Sequence, residues 1–168
     1  MAATPGGDTL VLGVGNELYR DEGVGVVVAR EVAALGTPPG VRGVEGAVGG
    51  LNLLFDMEAA ARVIIVDAVD MGLEPGAWRV FTPDDVHIAQ MSRVASLHQI
   101  GLEHILEQGQ VVGICPAVQI VGVQPAEVAP GFGLTDTVAR MVPEAVRAVR
   151  QLLTGPGPSA GDERQGGH

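Results

Sequence analysis

The chain contains one cysteine, Cys115, in 168 residues. A single thiol closes no internal disulfide, so nothing in the covalent chemistry requires an oxidising compartment. Aromatic residues make up only 3% of the chain, so Val, Leu, Ile and Ala must fill the core, and few rings are left to stack on bases. Basic residues are scarce as well. Ten Lys and Arg face 20 acids, a formal net charge of −10, where a nucleic-acid interface needs phosphate-neutralising cations. Long apolar runs are missing. Val63-Ile64-Ile65-Val66 is far too short to cross a bilayer. The first eight residues, Met1 to Asp8, have neither the basic nor the apolar region of a signal peptide. The expectation is a soluble cytoplasmic protein that binds neither nucleic acid nor membrane. Three catalytic or cofactor signatures are absent too: a Gly-x-Ser-x-Gly elbow, a His-Glu-x-x-His helix, and the third glycine that Gly13-x-Gly15 would need for a dinucleotide fingerprint.

What is present is 46% hydrophobic residues, enough for the core of one domain. Leu10 to Gly15 reads as a buried strand. Val24, Val27, Val28, Val32 and Leu35 follow at helical spacing, and Gly36 with Pro38-Pro39 ends that helix. A second strand is expected over Val41–Glu45, a loop over Gly46–Gly50, and a second helix from Leu51 through Leu54, Phe55 and Met57. Val63 to Val66, ending in Asp67, is continuously apolar, as in a strand buried on both faces of a parallel sheet. Gly76–Phe81 reads as a further, edge strand, 82–95 mostly as loop, Ser96 to about Gln108 as a helix, and Gln119–Val123 as a strand. Thr135 starts a last helix that Pro143 should kink or restart. The alternation gives a three-layer α/β sandwich with a twisted, mostly parallel sheet of about five strands. Residues 1–9 read as a flexible N-terminus, 10–154 as the single domain, and 155–168, rich in Gly and Pro, as a disordered tail.

In open α/β sheets, chemistry gathers beyond the carboxyl ends of the strands. Asp21 and Glu22 stand at the start of the first helix, where a phosphate would otherwise bind, so this loop presents carboxylates rather than an anion site. Glu22 follows the first strand, Asp67 ends the most buried one, and His98 precedes a helix. Two carboxylates and an imidazole suit a borderline divalent metal such as zinc or nickel and leave a coordination position open. Each residue also has a plain structural reading. Asp67 could close a turn, Asp21 could cap a helix with Glu22 serving its dipole, and His98 could be a hydrogen-bonded core or surface group. Spacing alone does not decide. Other candidates carry less: His104 shares a helical face with Glu103 and Glu107, His87 falls in an irregular stretch, and Cys115 reads as a small buried residue.

Four ordered blocks carry a resemblance. Val11-Leu12-Gly13-Val14-Gly15-Asn16 with Asp21-Glu22-Gly23-Val24-Gly25 resembles the opening of the nickel–iron hydrogenase maturation endopeptidases. Ile65-Val66-Asp67-Ala68 resembles that family's strand-end aspartate, and Ser96-Leu97-His98-Gln99-Ile100-Gly101-Leu102 its Ser-x-His-Gln-x-Gly-Leu segment. Val121-Gly122-Val123-Gln124-Pro125, followed by Gly133-Leu134-Thr135, resembles its late strand and helix start. The resemblance covers roughly Leu10 to Leu153. Gly46-Ala47-Val48 departs from the Gly-Gly-Thr that often follows the family's second strand.

The resemblance implies a protease, aspartyl-type or metal-dependent, that removes the C-terminal extension of a hydrogenase large-subunit precursor after nickel insertion. It implies Glu22, Asp67 and His98 as both the metal-contacting and the catalytic residues, with Asn16 and Asp21 behind them. The nickel would be supplied by the precursor rather than held permanently, and the protein would act as a monomer. A non-catalytic chaperone that senses nickel in the same precursor is the alternative.

Overall fold

The computed structural model describes residues 8–47, 52–85 and 106–155, with side chains for all of these except 44–47, 52 and 53. Expectations for 48–51, 86–105 and the tail from residue 156 lie outside the described residues.

Five strands form one sheet: β1 (Thr9–Val14), β2 (Val41–Ala47), β3 (Arg62–Ala68), β4 (Trp78–Phe81) and β5 (Ala117–Val123). Their order is β2-β1-β3-β5-β4, with β1, β2, β3 and β5 parallel and β4 antiparallel at one edge. The central place of β3 explains its composition. Val63, Ile64, Ile65 and Val66 are all fully buried, because helices cover both faces.

Side chains alternate between those two faces. Val11, Ile64, Val66, Val121 and Val123 meet α1 (Val24–Ala34) and α3 (Asp136–Thr154). Leu10, Leu12, Val14, Val63, Ile65 and Ile120 meet Leu54 and Met57 of α2 (Asn52–Glu58), with Leu106 from a helical stretch over 106–111. Each fully buried Val, Leu or Ile contributes about 1.5–3 kcal/mol, so a core almost without rings suffices.

The structure moves several expected boundaries. β1 starts at Thr9, and the Asp8 carbonyl accepts a hydrogen bond from the Ala61 amide at 2.9 Å, so residues 8 and 9 belong to the domain rather than to a flexible end. β2 continues through Gly46 and Ala47, because Ala47 still pairs with Val14 past an irregularity in register. The edge strand begins at Trp78, since Glu74 to Ala77 close a turn, Ala77 N donating to the Glu74 carbonyl at 3.0 Å. Pro143 does not restart the helix. α3 runs through it, with Met141, Val142, Ala145, Val146 and Val149 buried against the sheet, and that packing offsets the roughly 3 kcal/mol of an interior proline. Leu35 is exposed, one step beyond the buried stripe of α1. Cys115 is exposed rather than buried, since it lies between the 106–111 helical stretch and β5.

The start of α1 is set by close packing. A Cβ on Gly25 would overlap the carbonyl oxygens of Val66, two residues before the end of β3, and of Val14, the last residue of β1. A Cβ on Gly13 would in turn press on the Gly25 carbonyl and the Ala29 side chain. The helix therefore rests directly on the strand ends. Gly25→Ala is expected to lower stability by about 3 kcal/mol or more in urea denaturation, because backbone must move to admit the methyl. A loss below about 0.5 kcal/mol would show that α1 can lift without cost.

Candidate active site at the carboxyl edge of the sheet

The polypeptide leaves β1 at Gly15, whose φ of +139° suits glycine. It turns through Asn16, whose Oδ1 accepts a hydrogen bond from the Leu18 amide at 3.0 Å. Arg30 on α1 clamps Glu17 with two hydrogen bonds of 3.0 Å. Arg20 adopts φ +52°, a left-handed conformation costly for a side chain with a Cβ. A single 3₁₀ turn over Arg20–Gly23 then leads into α1. The turn folds back on the strand: a Cβ on Gly15 would overlap the Glu22 carbonyl oxygen. Glu22 is thereby held over the end of β1, half-buried, beside the end of β3.

Asp67 ends the buried part of β3 and is only 2% exposed. Burial pushes its carboxyl up to about 8, and the like charge of Glu22 adds to the rise, while a hydrogen bond from the Ala68 backbone opposes it. The two carboxyl groups are thus close enough to act on each other. His98 lies outside the described residues, so the structure brings together two members of the expected trio.

Asp21 stands behind Glu22, and its side chain does not cap the 3₁₀ turn or α1. It is fully buried, and its carboxylate accepts hydrogen bonds from the Ala126 and Glu127 amides at 2.9 and 3.0 Å and from the Thr135 amide at 2.8 Å. The Thr135 hydroxyl also donates to it at 2.9 Å, so Thr135, at the N-cap position of α3, uses its side chain here rather than on its own helix. Gln124 stood out in the sequence only as part of a family motif. The structure gives it a role: buried at the end of β5, its Oε1 accepts from the Met71 and Leu73 amides at 2.7 and 3.2 Å and its Nε2 donates to Asp70 at 3.2 Å. It fixes the chain just after Asp67. A lone glutamine at a strand end carries no periodic signal that could have revealed this.

An open, mostly parallel sheet that carries a buried aspartate with a raised pKa beside a glutamate at its carboxyl edge has the character of an enzyme site. The model of the hydrogenase maturation protease family matches residues 26–152. The hydrogenase expression/formation protein HupD of Rhodobacter capsulatus is 39% identical over 147 residues, covering 85% of this chain and 70% of its own. The hydrogenase 2 maturation protease of Escherichia coli K12 is 36% identical over 150 residues, covering 86% and 89%. Among solved structures, the hydrogenase maturating endopeptidase HybD from E. coli superposes with a TM-score of 0.77 at 33% identity, covering 87% of this chain and 91% of that one. The chain belongs to the hydrogenase maturation protease family and is a protease. Among the described residues, no helix is long and apolar enough to cross a membrane.

The ionisation of Asp67 has a thermodynamic signature. Its ordinary value is 3.8 and its folded value about 8, so between these pH values the native state keeps a proton that the unfolded chain has lost. Stability from this group is complete below pH 4, falls as pH rises, and is gone above 8. Asp67→Asn has no such titration. Its stability relative to wild type should therefore rise between pH 5 and 7, by on the order of 2 kcal/mol, in urea denaturation series. Parallel pH profiles for the two proteins would mean that Asp67 ionises normally.

Proposed function

We propose that the protein removes the C-terminal extension of a nickel–iron hydrogenase large-subunit precursor once nickel has been inserted, and that Glu22, Asp67 and His98 engage the nickel that the precursor carries. The observation that supports this reading is the Asp67–Glu22 pair. A buried carboxyl that holds its proton near neutrality, next to a second acid, is poorly arranged to keep a divalent cation in the free protein. It is well arranged to receive one. An arriving cation displaces the proton and offsets the repulsion between the two carboxylates. Two hard carboxylates and one imidazole also hold nickel less tightly than a closed site of sulfur and imidazole would, which suits a metal that remains with the substrate. The nickel-bearing end of the precursor would lie at the carboxyl edge of β1 and β3, where hydrolysis needs either the scissile carbonyl polarised or a water activated. The protein acts in the cytoplasm as a monomer.

The test compares purified wild type, Glu22→Gln, Asp67→Asn and His98→Ala on nickel-loaded and nickel-free precursor, with products weighed by mass spectrometry. Wild type should release the tail from loaded precursor only. Each variant should cleave at least ~100-fold more slowly while melting within a few degrees of wild type. Cleavage that persists in all three variants would overturn the site. Wild type that binds loaded precursor without releasing a tail would be a nickel-sensing chaperone instead.

A further inference from the structure

The loop over 124–135 touches Glu22's turn through more than one kind of bond. Asp21 N donates to the Glu127 carbonyl at 3.2 Å, Arg20 N to the Gly131 carbonyl at 3.0 Å, and Gly131 N to the Leu18 carbonyl at 2.8 Å. Tyr19 and Gly131 form a parallel bridge. Gly131, at φ +155°, lies so close to the Arg20 side chain that a Cβ there would stand 2.8 Å from Arg20 Nε. At the centre is the Asp21 carboxylate, which accepts from three backbone amides and one hydroxyl in complete burial.

A carboxylate with this many donors is a rigid fixture, because charge-assisted hydrogen bonds are about twice as strong as neutral ones. It is also adjacent in the chain to Glu22. The backbone of Glu22 has little freedom left: its carbonyl rests on Gly15 below, its amide donates to the Tyr19 carbonyl at 3.2 Å, and its preceding residue is bolted to β5's following loop and to the start of α3.

We infer that Asp21 is a positioning residue for the proteolytic reaction: by pinning the Glu22 turn to Ala126, Glu127 and Thr135, it sets where the Glu22 carboxylate stands relative to Asp67. This rests on the proposed role of Glu22. Misplacement of a reacting group by about 1 Å costs on the order of 100-fold in rate even when the fold is intact. A purely structural anchor would lower stability and leave the turnover of the folded molecules alone. A positioning residue lowers kcat of the folded molecules and leaves KM for the precursor nearly unchanged.

The experiment is steady-state cleavage of nickel-loaded precursor by Asp21→Asn, Thr135→Val, Thr135→Ser and Glu22→Gln, at a temperature where circular dichroism shows each fully folded. Asp21→Asn turns a donor toward amides that need an acceptor. It should lower kcat at least ~10-fold with KM within ~3-fold of wild type. Thr135→Val removes only the hydroxyl donor, is expected to fold even if Asp21→Asn does not, and should lower kcat ~3-fold. Thr135→Ser restores the donor and the wild-type kcat. Wild-type kcat in folded Thr135→Val and Asp21→Asn, or a change in KM alone, would overturn the positioning role. If those results come with an inactive Glu22→Gln, only the role of Asp21 fails. A fully active Glu22→Gln means that the assignment of Glu22 itself has failed.

Discussion

The site depends on one close approach. α1 begins directly above the carboxyl ends of β1 and β3 because Gly13, Gly15 and Gly25 put no side chain between backbone and backbone. Had any of the three carried a Cβ, the helix would stand further off, and the 3₁₀ turn ahead of it would lift away from Asp67. The turn has no independent stability of that order: it is four residues long and includes a left-handed arginine. It is held from below by this glycine contact and from the side by the Asp21 pin. The hydrophobic sandwich supplies the rigid platform, and the glycines convert that platform into a position for Glu22.

What is positioned is an electrostatic conflict. A buried aspartate next to another acid raises the free energy of the ionised state, and the molecule answers by keeping Asp67 protonated near neutrality. Folded proteins keep such arrangements mainly where chemistry uses them. Asp21, the residue before Glu22, shows the contrast. It is equally buried, but four donors surround it, so its carboxylate serves as structure. Of the adjacent acids Asp21 and Glu22, the first is held by backbone amides and the second stands beside Asp67.

Much of this was legible in the sequence. The two-faced burial of Val63 to Val66 announced a central parallel strand, and the acids at the start of α1 argued against a nucleotide and for a carboxylate site. Asp67 at a strand end and Glu22 in the loop after a strand are legible as candidates, because strand ends follow from apolar runs. Less local features were not legible. The Asp21 hydrogen bonds join residues more than a hundred positions apart, and no periodicity records such a pairing. Pro143 reads as a kink or a restart from local rules, yet α3 continues through it with its buried face intact. Cys115 looked like core by residue type but falls in a connection, where residue type says little.

In the proposed function, Asp67 is protonated in the free protein and releases its proton to solvent when the cation carried by the precursor arrives. Stopped-flow mixing of the protein with nickel-loaded precursor at pH 7 in weak buffer, followed with a pH indicator, tests it directly. A fast release of about one proton per molecule of protein is expected before the tail is lost, and no such release with nickel-free precursor or with Asp67→Asn. Tail release with no preceding proton phase, or the same phase from Asp67→Asn, would contradict it.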